Sequence, residues 1–436
     1  MTGFLGIFVP DELCDAVSDR TWLLAMIETE RALTNAEAIA GVVPAHLAGA
    51  IAERCTPELL EMGDVMADAR SVANPAEPLV RRLRQAVGGE AADYIHFGAT
   101  SQDIVDTAAM LVASRALRLV LSYLDDLAGH SARLAREHRS TPMAGRTLLQ
   151  QAVPTTFGLV CAGWLQAVEA SRERLADEAA GLPVQLGGAA GTLAALGDNA
   201  LGVRRLFAAE LGLVEPTVTW HSDRTPVRAV AAAAALSAGA AGKIAGDIVL
   251  LSSTEIGEVA EGAGGGSSTM PQKRNAAASV RGVAAARRAT AHTSALLQGF
   301  EHELQRAAGA WQAEWEPFAG VLAYTGGAVA CAAEALADLT VDTARMRANL
   351  DVSGGAIVAE RIVLMSAARV GRAQASRAMK EALAAGSEGF ADALDAEALG
   401  LTDIELADAL DPAAYTGAAE ELVDLALAEY ERREGT

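Results

Sequence analysis

Apolar positions recur along most of this chain at three- and four-residue intervals, the spacing that lines one face of an α-helix. Between Asp11 and about Gly41, Leu23, Met26 and Ile27 alternate with Glu28, Glu30 and Arg31, which predicts a helix with those charges on its wet face. Shorter helical pieces follow, punctuated by Pro44, Pro57 and Pro75. A longer helix should begin near Ser101 or Gln102 and run into the 130s, because Met110, Ser114, Leu117 and Leu121 recur at four, seven and eleven residues. From Ser140 to Gly158 the pattern lapses at Pro142, Gly145 and Pro154, which predicts an irregular connection. It resumes through Val160, Leu165 and Val168, then lapses again in the loop from Leu182 to Asp198. After Pro226 it runs to about Glu261, with Ile244, Ile248 and Leu251 on one face. Two more helices are predicted, from about Asn275 to Gly299 and from about Trp311 to Leu339, followed by short helical pieces. No alternating strand ladder and no internal repeat stands out.

The chain therefore reads as all-α and in three parts. These are a helical N-terminal domain over 1–101, a central bundle of long antiparallel helices over 102–349, and a small helical C-terminal domain over 350–436. Composition agrees: 51% of residues are hydrophobic but only 4% aromatic, so the core must be built from Ala, Leu and Val, which let helices approach closely. The most apolar stretch, Val230 to Leu251, is mostly alanine and glycine and carries Lys243 and Asp247, so it predicts a buried helix rather than a membrane span.

Charge and cysteine usage narrow the partners. A formal net charge of −21 argues against nucleic acid or an anionic membrane, and means that an anionic substrate must be attracted locally. Cys14, Cys55, Cys161 and Cys331 form no CxxC pair and read as separate thiols in a reducing compartment. The amino terminus meets Pro10, Asp11 and Glu12 without a basic leader, which points to a cytoplasmic protein. No HExxH string or close histidine pair exists, so no catalytic metal is expected.

Candidate chemistry gathers in loops at helix ends. Three glycines and two serines, Gly264 to Ser268, cannot continue a helix cheaply and predict a loop able to move. Pro271 suits the first turn of a new helix, which places Lys273 and Asn275 near an amino terminus where free amides and positive charge favour an anion. A flexible linker is the plainer alternative. Likewise Thr100 and Ser101 stand at a helix start, where hydroxyls either cap the helix or seat a carboxylate.

The string Gly-Ser-Ser-x-Met-Pro-x-Lys-x-Asn, Gly266 to Asn275, resembles the signature of the fumarase/aspartase superfamily. HFGATSQD and the GRT triplet at Gly145 to Thr147 resemble its first and second conserved regions. LPVQLGGAAGTLAALG and RAAGAWQAEWEPF are similar to its cycloisomerase branch. The resemblance implies a homotetramer whose active sites draw loops from three subunits, a small polycarboxylate substrate, and no cofactor. It also implies Ser267 as the proton-transferring residue with Lys273 beside it. Thr100, Ser101, His96, Arg146, Thr147, Arg224, Ser268, Met270 and Asn275 become the implied substrate contacts. Two departures stand out. Leu148 occupies the place of a histidine that serves the related lyases as an acid, and Thr225 follows Arg224 where an aspartate is usual. His221, one residue beyond Trp220, reads as a cap or surface residue.

The implied reaction is closure of 3-carboxy-cis,cis-muconate to 4-carboxymuconolactone. A C–N or C–O lyase releasing fumarate or a related unsaturated acid is the alternative, and a non-catalytic helical scaffold is the third possibility.

Overall fold

A computed structural model describes residues 4–56, 62–262, 265–266, 270, 272–299, 301–386 and 389–434. Among them seventeen α-helices stand against six strands of two to seven residues, so the protein is all-α as the apolar spacing predicts. The chain forms two compact units, each assembled from separate stretches: 1–124, 170–243 and 281–331 in the first, and 125–169, 244–280 and 332–436 in the second. The boundaries read from the sequence, at 101/102 and 349/350, divide the chain at other places.

In the first unit, the early part of the Ser101–Glu137 helix packs with stretches of Thr225–Leu251, Ala277–Gln298 and Trp315–Ala337. Small side chains allow this. A Cβ on Gly242 would lie 2.7 Å from that of Ala286, so only glycine fits at this crossing. Thr293 donates its hydroxyl to the Ala231 carbonyl at 3.4 Å and Thr325 to that of Ala234 at 3.3 Å, tying three helices together. Residues 102–113 are buried on every side, which is why a single apolar face describes only part of this helix.

The amino-terminal helix predicted from Asp11 is broken in two, Asp11–Ala16 and Asp19–Ile39. Ser18 makes the break by accepting the Thr21 amide, an N-cap that starts the second piece. Glu30 is buried rather than solvated, as is Glu37 one further turn-pair along.

The second unit contains the main departure from the predicted elements. Ser140 to Gly158 is not irregular: Pro142–Thr147 and Gln150–Thr156 pair as an antiparallel hairpin, with a register shift between Ala144 and Arg146. Leu148 and Leu149 form its two-residue turn with φ of 51° and 64°. Such a turn needs positive φ at both positions and usually signals itself with Asn-Gly; two leucines hide it. The helix from Thr225 ends at Leu251, ten residues before its predicted end at Glu261, and Ala200–Leu211 is a helix that the sequence reading did not assign. Further along, Leu350, Ile357, Ile362, Phe390 and Leu399 join a core shared by the short C-terminal helices.

Among the described residues, two helices, Thr225–Leu251 and Gln312–Ala337, are long and apolar enough by length and composition to cross a membrane. The most apolar window of the first is only 44% buried within one chain, against 72% for the second. Leu236 and Leu250 are exposed on it.

Candidate functional site

In the first unit the segments 94–103 and 185–192 meet. Asp103, fully buried in the first turn of the Ser101–Glu137 helix, accepts the amides of Thr100 at 3.0 Å, Gly187 at 3.0 Å and Gly188 at 2.9 Å. The His221 Nε2 lies 2.7 Å from Asp103 Oδ1, the oxygen that also accepts the Gly187 amide. One carboxylate thus holds the helix start, the glycine segment and the 220–224 segment in one arrangement. Gly187 permits the approach, since a Cβ there would lie 2.4 Å from Thr219 Cγ2.

This corrects the reading of His221. It is buried and bonded to Asp103, neither a cap nor a surface residue.

Arg224 is corrected as well. Its guanidinium gives parallel hydrogen bonds to Asp106 at 2.7 and 2.9 Å and a further one to Glu314 at 2.9 Å, all in a buried setting. Two carboxylates already neutralise it, so it holds the scaffold rather than a substrate anion. Gln102, Gln185 and Trp311 also donate to Asp106, which fastens the LPVQLGG and AWQAEW strings to the same helix. The sequence similarity of those strings has a structural basis in this network.

Thr100 and Ser101 remain at the helix start, but the Thr100 hydroxyl accepts a hydrogen bond from Arg306. Arg306 also donates to the Ala189 carbonyl at 3.1 Å. Sequence reasoning missed it, because a lone arginine in an alanine- and glycine-rich stretch carries no spacing signal. His96 adopts a left-handed backbone, φ 62°, and its Nδ1 lies 2.7 Å from Glu30 Oε1. Burial alone would depress the His96 pKa, but the Glu30 carboxylate outweighs it and raises the value above the usual range. His96 and Ser101 open onto a cleft of about 510 Å³ that Glu77, Arg81, Arg84 and Gln85 also line.

The second unit holds the other group. Arg146 gives two hydrogen bonds, 2.9 and 2.6 Å, to the fully buried Glu258, which also accepts from Asn349 at 2.7 Å. Its charge is therefore spent inside the unit and secures the hairpin. Thr147 precedes the turn and is exposed, while Leu148 is 98% and Leu149 73% exposed.

Gly265–Gly266 pairs with Arg274–Asn275, so the two feet of the signature loop are joined. The next helix begins only at Ala277, downstream of Lys273 and Asn275. Its first amides are taken: Glu261 accepts from Ala278 at 3.0 Å and Ser279 at 2.8 Å. The expected anion site at that helix terminus is thus filled by the chain's own carboxylate. Met270, Lys273 and Asn275 are exposed. Ser267, Ser268 and Pro271 lie outside the described residues. Among the described residues no three His, Cys, Asp or Glu side chains converge as a metal site requires.

Residues 9–291 match the family model described as Lyase. A nitrosuccinate lyase of Streptomyces davaonensis is 46% identical over 433 residues, covering 94% of this chain and 91% of the relative. A 3-carboxy-cis,cis-muconate cycloisomerase of Pseudomonas aeruginosa is 42% identical, covering 95% and 93%. The crystal structure of 3-carboxy-cis,cis-muconate lactonizing enzyme from Pseudomonas putida superposes with a TM-score of 0.93 at 36% identity over 99% of both chains. With its signature loop, its first-region helix start and these relatives, the chain belongs to the fumarase/aspartase superfamily of lyases and cycloisomerases.

Proposed function

We propose that this enzyme is a cofactor-independent cycloisomerase closing 3-carboxy-cis,cis-muconate to 4-carboxymuconolactone. The hairpin turn carries the reading. Thr147 is followed by two exposed leucines where related lyases place a histidine acid, and leucine cannot protonate a leaving group. Chemistry that needs no such acid is the best fit. In this closure one substrate carboxylate adds to a double bond, so the group joined to carbon is a weakly basic anion already in its reactive form. Ser267 donates its hydroxyl proton to the adjacent carbon and regains one from solvent; the substrate trianion thereby becomes a lactone dianion. Lys273, Asn275, Thr100 and Ser101 stabilise the enolate-like charge on the neighbouring carboxylate. His96, Thr147, Ser268 and Met270 complete the contacts, and Arg146 and Arg224 position them through Glu258, Asp106 and Glu314.

Identity to the nitrosuccinate lyase supports a second reading, loss of nitrite from nitrosuccinate. Nitrite also departs without a proton, and Ser267 as alkoxide would remove the carbon-bound proton to leave fumarate. In both readings we place the protein in the cytoplasm as a homotetramer with sites shared between subunits. The exposed leucines of the hairpin turn, and Leu236, Leu250 and Val280 on long helices, are surfaces such an assembly covers.

A substrate panel separates the readings. Loss of the carboxymuconate diene absorbance supports the cycloisomerase, and equimolar fumarate and nitrite from nitrosuccinate support the lyase. Efficient cleavage of a succinyl amine instead would sink both.

A further inference from the structure

The cleft beside Ser101 brings two arginines, Arg81 and Arg84, together with His96. Arg81 pairs with Asp68 at 3.0 Å, and among the described lining residues Glu77 is the one carboxylate. Arg84 spends one N–H on the Ile95 carbonyl at 2.9 Å, a bond that ties its side chain to the residue before His96. His96 lines the same cleft, and its Nδ1 lies 2.7 Å from Oε1 of Glu30, a buried residue of the separate Asp19–Ile39 helix. His96 holds a left-handed backbone, a conformation that L side chains rarely adopt.

We propose that Arg84 and His96 form a second anion seat beside Ser101, one that receives a further carboxylate of the substrate, with Glu30 as the positioning residue behind the His96 ring. The seat rests on the reading of Thr100 and Ser101 as the place of the reacting carboxylate, and it makes the natural substrate a tricarboxylate rather than a simple succinyl compound. Arg84 supplies a permanent charge. His96 supplies one that depends on pH: burial and Arg84 oppose its protonation, and Glu30 and Asp103, which favour it, prevail. Glu77 and Arg81 face the same cleft.

Calorimetric binding of two unreactive ligands to the full-length protein tests the seat independently of turnover. At pH 6, tricarballylate should bind roughly 10–100-fold more tightly than succinate, the worth of one charge-assisted contact pair. Arg84→Gln should abolish this preference and Arg84→Lys should keep part of it. The preference should fade as pH rises through the raised His96 pKa, fade at lower pH in Glu30→Gln, and lose this pH dependence in His96→Asn. Equal binding of the two ligands, or a preference untouched by Arg84→Gln, overturns the seat. A pH profile unmoved by Glu30→Gln in a variant of native circular dichroism overturns the positioning role. A preserved preference with no turnover of carboxymuconate or nitrosuccinate would instead reject the proposed function and leave the seat standing.

Discussion

Arg224 and Asp106 meet through two parallel hydrogen bonds in a region nearly free of solvent, and neither has room to exchange its partner for water. Removing one charge from such a pair strands the other. Asp106→Asn should cost about 3–5 kcal/mol of folding free energy, read from denaturant unfolding. A loss below about 1 kcal/mol would show that the pair does not hold the helix start in place.

Glu37 gives a stability that depends on pH. Burial, and after it repulsion from Glu30, pushes its pKa from 4.5 up to about 9. The folded state therefore holds a proton that the unfolded state releases above 4.5, so stability is full below that value and drains as pH rises through 9. Glu37→Gln should raise the melting temperature at pH 8.5 and change it little at pH 5. An equal shift at both would refute the assignment.

Leu148 touches almost nothing in its own chain. Leu148→Asp should leave the fold of the single chain within about 0.5 kcal/mol, as exposed substitutions do. It should nevertheless lower the mass seen by light scattering, because a charge would be forced into the contact proposed for the tetramer. Unchanged mass and unchanged turnover would remove the hairpin turn from that contact.

Ser267→Ala should abolish turnover while leaving the assembly and its melting temperature intact. Residual activity within about tenfold of the parent would assign proton transfer to another group.

Much of this architecture can be read from apolar spacing. The Ser101–Glu137 helix starts where Thr100 and Ser101 predict it and ends within the predicted 130s. The superfamily signature is equally plain, because its residues lie in one short string. What escapes is of two kinds. The hairpin turn is invisible because leucines adopt a backbone that normally calls for asparagine and glycine. Glu30, Asp106 and Arg306 escape because each acts on a residue far away in sequence, and a buried glutamate on a helix has the same spacing as a solvated one. Arg224 shows the converse: its position in the sequence suggests a substrate cation, and only its partners reveal that the charge is already satisfied.

Glu261 is a counter-ion that the protein carries with it. Tethered seventeen residues from Ala278, it presents its carboxylate to the helix terminus at an effective concentration on the order of millimolar or above. Dissolved phosphate, sulfate or a stray substrate must displace a competitor that never diffuses away, so that terminus is insulated from the ionic content of its surroundings. Under the proposed function, attraction of an anionic substrate then falls to the exposed Lys273, a side chain whose pull weakens as salt rises.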